Sequence, residues 1–136
     1  MAISICVGDI CDEVGAPSFV HAFFSTVSYY GEPDGWGTGY PYLIGMLYRG
    51  HLPADFASQA TQELSKAKVI LSKRLPSDII WDIDDLSAQP PWGDNISSTV
   101  SSLGDYFVTS AGSDLFEVFE EYLLESVRSG QDVYME

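Results

Sequence analysis

The stretch GAPSFVHAFFSTVSYYGE, residues 15–32, constrains the fold more than any other part of this 136-residue chain. Pro17 suits a first helical turn, where its missing N–H costs nothing. Phe19, Ala22, Phe23, Thr26, Val27 and Tyr30 recur at i, i+3, i+4, i+7, i+8 and i+11, the spacing of one helix face. Val20 and Phe24 widen that face beyond the stripe a surface helix needs. The spacing predicts a central helix, buried on most sides, with the rest of the chain folded around it. His21 lies inside it with no partner at helical spacing. It reads as a packed or half-exposed histidine rather than a base.

The flanking segments supply the cover. Ile3, Ile5 and Val7 alternate with Ser4 and Cys6, and Gly8-Asp9 offers a two-residue hairpin turn. Ile10 and Val14 continue the apolar face, interrupted by Asp12. In that register Cys6 lies opposite Cys11. A cross-strand disulfide fits under oxidation, but two reduced thiols in a cytosolic hairpin are the favoured reading. With no histidine or further cysteine nearby, the pair does not make a zinc site. EPDGWGTGYP, residues 32–41, is a loop by its glycine and proline content. It follows a helix and lacks a lysine, so it is not a phosphate loop.

A short helix is expected over Tyr42 to Arg49, ended by Gly50. The longest is expected over Pro53 to Leu75, with Phe56, Ala60, Leu64, Ala67 and Leu71 as its stripe and Pro76 as its stop. Ser77 to Asp85 alternates and reads as a strand. SAQPPWGDN is a turn-rich connection, and DYFVTSAG reads as another short strand. A helix then starts at Asp114 with Glu117 at capping-box spacing. Leu115, Val118, Phe119, Tyr122 and Leu123 form its buried side, and Arg128 and Gly130 mark its end. DVYME is expected as a last edge strand. The expected architecture is α+β: a single domain over residues 1–136, with an antiparallel-rich sheet and helices packed mainly on one face.

Charge narrows the function. The net charge is −14, and residues 76–136 carry thirteen acids against the single Arg128. Phosphates and anionic membranes would be repelled, so neither nucleic acid nor a membrane is an expected partner. A basic protein partner would be attracted, and steered faster at low salt. The plainer alternative is that the acidity serves solubility. The N-terminus carries no signal-peptide pattern, and no segment has the ~18 apolar residues of a membrane helix. A cytoplasmic protein is the expectation. The four basic residues at Lys66, Lys68, Lys73 and Arg74 read as a solvated face, or as a local contact for the acidic remainder.

Chemistry-bearing patterns are sparse. WDIDDLSAQPPWGDNIS, residues 81–97, gathers Asp82, Asp84, Asp85 and Asp94. It lacks the glycine and the final glutamate of an EF-hand loop. Four readings stay open: a divalent-metal site, paired carboxylates for hydrolysis, a docking surface, or aspartates capping their own turns. His21 and His51 are the two histidines, and no serine or cysteine sits in a nucleophile motif. No catalytic residue, metal ligand or cofactor is expected. Glu117, Glu121 and Glu125 fall at i, i+4 and i+8. Like charges at that spacing cost a helix about 0.2–0.5 kcal/mol per pair. That is small enough to be accidental, and it also suits a surface shaped for a cationic partner.

GAPSFVHAFFSTVS, EPDGWGTGYP, IIWDIDDLSAQPPWGDNIS and DYFVTSAGSDLFEVF together resemble, in the same order, the bacterial family of immunity protein 70. The resemblance covers nearly the whole chain. Trp81–Asp85 and Pro90–Asn95 are its most specific blocks. It implies a protein that binds and blocks a cognate toxin domain of a polymorphic toxin system, by inhibition rather than catalysis. Such a toxin would often be a nuclease with a basic cleft. It also implies that Trp81, Pro90, Pro91, Trp92 and Gly93 maintain the fold while the partner surface lies elsewhere. Asp84, Asp85, Glu117, Glu121 and Glu125 are the expected partner-binding residues. The alternatives are a small metal-dependent hydrolase built on the aspartate cluster, or an acidic adaptor protein.

Overall fold

In the computed structural model, which describes residues 1–136, the expected hairpin is present. Strand β1 (Ile3–Val7) pairs antiparallel with β2 (Ile10–Gly15). Gly8 sits at φ +58 in the turn, a conformation that a Cβ would disfavour. Cys6 faces Cys11 as the register predicted, but the two are joined by a disulfide, so the expectation of reduced thiols is corrected. The cause is the pairing itself, which places both side chains on the same face, directly opposed.

Two further strands complete one antiparallel sheet of order β2-β1-β4-β3. They are β3 (His51–Leu52) and β4 (Val133–Met135). The DVYME segment is therefore interior, between β1 and β3, and not at an edge. The two-residue β3 that covers it has no pattern of its own in the sequence. Ile5, Val7, Val14, Leu52, Val133 and Met135 are buried. The helices pack against that face. Cys6, Cys11, His51 and Tyr134 lie on the other, where the His51 ring stacks on Tyr134 at 4.8 Å.

Helix α1 (Pro17–Gly31) is central, as its periodicity required: every residue from Ala22 to Ser28 is buried. Phe23 is its focus, with ring centroids 5.2 Å from those of Phe24, Phe107 and Phe116 and 5.5 Å from that of Phe119. Helix α2 (Ala57–Leu71) buries Ala60, Leu64, Ala67 and Leu71, and is preceded by a separate 3-10 turn at Ala54–Phe56. It stops short of the expected Leu75. Pro76 forces that residue into extended backbone, at ψ 153. The short helix near Tyr42 is a π-helical turn, Leu43–Leu47, in which Leu47 N–H donates to Tyr42 O and Tyr48 N–H to Leu43 O, both at 3.0 Å.

Two expected strands are absent. Val108 forms a single bridge to Asp114, and residues 109–113 turn tightly, with Thr109 N–H on Ser113 O at 2.8 Å. Residues 77–85 begin with a 3-10 turn (Pro76–Asp78) and then run along α1 with no strand partner. Their backbone is satisfied by α1 side chains instead. Ile80 N–H donates to Thr26 Oγ1 at 3.2 Å, Ile83 N–H to Ser25 Oγ at 3.1 Å, and Tyr30 O–H reaches Asp78 O at 2.8 Å. The alternation did not mark a strand: only residues near Ile79 and Ile80 are extended, and Asp85 N–H closes a turn on Asp82 O at 3.0 Å. Trp81 is accordingly half-buried rather than core, edge-on to Trp92 at 5.3 Å.

Thr26→Val tests this account. It keeps the volume but leaves Ile80 N–H without an acceptor. We expect a loss of about 1–3 kcal/mol in urea unfolding, whereas an unchanged midpoint would show that the segment is held by its apolar side chains alone.

Candidate functional site

The acidic residues of the last helix gather around a groove at the sheet edge. Helix α3 (Leu115–Ser129) starts where Asp114 Oδ1 accepts Phe116 N–H at 3.1 Å, and ends at Gly130 with φ +73. Its apolar face packs on β1 and β4. Its flank turns Glu117, Glu121 and Glu125 toward β2, the edge strand. Asp12, opposite Ile5 in the hairpin, looks back at them. Two connected hollows result. One, of about 130 Å³, is lined by Asp12, Glu13, Glu117 and Glu121, and the other, of about 190 Å³, by Ile10, Asp12, Glu121, Tyr122 and Glu125. The Tyr122 hydroxyl donates to Asp12 Oδ2 at 2.8 Å, which fixes the carboxylate at the groove floor. Burial, and then that bond, push the phenol pKa upward.

All three glutamates expected to face a partner thus belong to this groove. Glu125 has a cation of its own helix beside it. Arg128 clasps it through Nε and Nη2, Nε donating to Oε1 at 2.9 Å, and this holds its carboxyl below the ordinary range. Asp12, Glu13 and Ile10 were missed as site residues. Their signal was the charge that breaks the hairpin's apolar alternation at Asp12. The basic residues on and just after α2 make no ion pair with the groove, although Lys68 shares a neighbouring hollow with Glu117 and Glu120. Lys66, Lys68 and Arg74 lie over the rings of Tyr40, Phe116 and Tyr30, and no lysine forms an ion pair.

Asp84 and Asp85 do not join these residues. Asp84 lines a separate cavity of about 380 Å³ with His21, Trp36, Tyr48 and Ile83. Asp85 closes its own turn, accepting from Ser87 N–H at 3.1 Å and Ser87 O–H at 2.6 Å. The aspartate cluster is dispersed: Asp82 and Asp84 converge with His21, Asp85 turns away, and Asp94 makes no side-chain hydrogen bond. Within the cavity His21 is held at both nitrogens, Nδ1 by the Tyr48 hydroxyl at 2.7 Å and Nε2 by Asp82 Oδ1 at 3.0 Å. Asp82 Oδ1 also accepts Asp84 N–H at 2.9 Å. That backbone bond, and then His21, hold its carboxyl below the usual range. Burial, then the Asp84 and Asp82 charges, push the Tyr48 hydroxyl up.

A buried carboxylate positions the loop that closes this cavity. Glu32 accepts Ser28 O–H at 2.6 Å and Gly37 N–H at 2.9 Å through Oε1, and Gly39 and Tyr40 N–H at 2.8 Å through Oε2. Trp36 is carried between these anchor points. From α2, Glu63 plays the same part for the π-helical turn, accepting Tyr42 and Leu43 N–H at 3.1 and 2.8 Å. The sequence marks both only as ordinary acids.

The fold is of the α+β class, with acid-lined hollows between β2 and α3. Residues 5–135 match the family model of Immunity protein 70, and the chain belongs to that family. Its role is therefore that of an immunity protein. No curated protein and no solved structure matches it. No helix is long and apolar enough to cross a membrane.

Glu32→Gln tests the loop anchor. An amide would turn one of the two acceptor oxygens into a donor facing backbone donors. Each lost bond to a charged acceptor is worth about 1.5–3 kcal/mol. We expect a loss of at least about 2 kcal/mol in chemical denaturation and a changed Trp36 environment; stability within 0.5 kcal/mol of the parent, roughly the noise of such comparisons, would contradict the anchor.

Proposed function

We propose that this protein neutralises a cognate toxin domain by setting the acidic groove between β2 and α3 against a basic active-site cleft. The observation that carries the reading is the groove itself: Asp12, Glu13, Glu117 and Glu121 share it with no ion-paired cation among them. A row of carboxylates gains nothing for its own helix. Against a cationic cleft it supplies attraction at encounter and excludes the anionic substrate afterwards. Ile10, exposed at the groove's end, adds apolar contact. Inhibition of this kind needs no catalysis, cofactor, nucleic acid or membrane. Asp84 belongs to a second part of the partner surface, the aromatic cavity beside His21 and Trp36. Asp85, tied to its turn, contributes field rather than contact.

The test is a titration against a candidate toxin domain taken from the neighbouring gene. Glu117→Lys/Glu121→Lys should weaken binding at least tenfold, mostly through the association rate, and should flatten its salt dependence. Melting curves run alongside confirm folding. Unchanged affinity in the folded double variant would discard the groove as the interface.

A further inference from the structure

We propose that the cavity formed by His21, Trp36, Tyr48, Ile83 and Asp84 is a receptor for one cationic side chain, an arginine or lysine projecting from the bound toxin. The proposal rests on the immunity reading and deepens it, giving the interface a socket in addition to a charged groove. The cavity's volume of about 380 Å³ is at the low end of ligand pockets, roughly 300–1,000 Å³. Its walls are aromatic. Trp36 stands 5.4 Å from Tyr48 and 6.2 Å from His21, centroid to centroid, and the indole stays 42% exposed. An indole left open to water, on a loop that Glu32 pins by three backbone bonds, is held ready rather than loosely exposed.

The charge is one-sided. Asp84 is exposed and its carboxylate makes no hydrogen bond, and Asp82 Oδ2 has no partner either. No lysine or arginine pairs with them. A cation over the face of a tryptophan, beside a carboxylate, is favoured by both the ring quadrupole and the charge. His21, Asp82 and Asp84 bring ligand atoms within 4.8 Å of one another, so a divalent metal is the competing occupant. His21 argues against it: both ring nitrogens are already engaged, by Tyr48 and by Asp82, which makes the imidazole a wall of the cavity.

The experiment has two arms. In the first, the free protein is titrated with N-acetylarginine amide, N-acetyllysine amide, the neutral citrulline analogue and zinc, following the three tryptophan indole N–H signals by NMR. Trp36→Phe assigns the Trp36 signal. The expected result is a saturable shift of that signal with a cationic amide, absent with citrulline, with Trp81 and Trp92 unmoved, and binding at least threefold weaker in Asp84→Asn. No saturable shift with either cation, or a response to zinc alone, overturns the proposal. In the second arm, Asp84→Asn and Trp36→Phe are titrated against the toxin domain and should each lose at least fivefold in affinity. A folded variant with parental affinity overturns the socket while leaving the groove intact. Failure of the unaltered protein to bind any toxin would instead sink the immunity mechanism, and the first arm would still decide whether the cavity takes a cation.

Discussion

A helix buried all round through its middle turns must satisfy its polar residues from within, and that constraint organises this molecule. Ser25, Thr26 and Ser28 of α1 are buried beside Phe23 and Phe24. Each hydroxyl needs a partner, since an unpaired buried polar group costs about 1–3 kcal/mol. Ser25 and Thr26 find theirs in the backbone of Ile83 and Ile80, and so fix where the 77–85 segment runs. Ser28 finds Glu32, and Glu32 in turn fixes the loop from Gly37 to Tyr40. The two walls of the aromatic cavity are thus set by three hydroxyls on one helix.

The same logic explains what could be read from the sequence. Helices α1, α2 and α3, the first hairpin and the α+β class were legible because each rests on a periodicity that repeats several times. The π-helical turn and β3 were not, because each is too short to show a period. The segment around Trp81 misled in an informative way. Its alternation of Ile79, Trp81 and Ile83 suggests a strand, but the residues are uniformly half-buried and turn at Asp82–Asp85 while packed along a helix. Nothing local to residues 77–85 distinguishes such a segment from a strand. The difference lies in Ser25 and Thr26, more than fifty positions earlier. The disulfide was legible as geometry and misjudged as chemistry, since register sets opposition and an assumed compartment argued for thiols.

For the site, the glutamate stripe was visible as spacing, yet its counterpart was not. Asp12 stood out as one charge in an apolar alternation. The structure gives the reason: β2 is the edge of the sheet, α3 leaves that edge uncovered, and Asp12 tied to Tyr122 forms the floor of the gap. Asp84 and Asp85 were grouped with the stripe because they share its charge. The fold separates them, giving Asp84 to an aromatic cavity and Asp85 to its own turn. Net charge describes the far field of such a protein; the placement of single carboxylates against edge strands and aromatic rings determines what the field can hold.

Carboxyl labelling of the free and toxin-bound protein, read residue by residue by mass spectrometry, tests the central claim most directly. Every acid on the surface reports at once, without mutation. The account predicts that Asp12, Glu117 and Glu121 lose most of their labelling on binding, while Asp55, exposed ahead of α2, keeps its own. Equal labelling of the groove carboxylates in both states, with protection falling elsewhere, would contradict it.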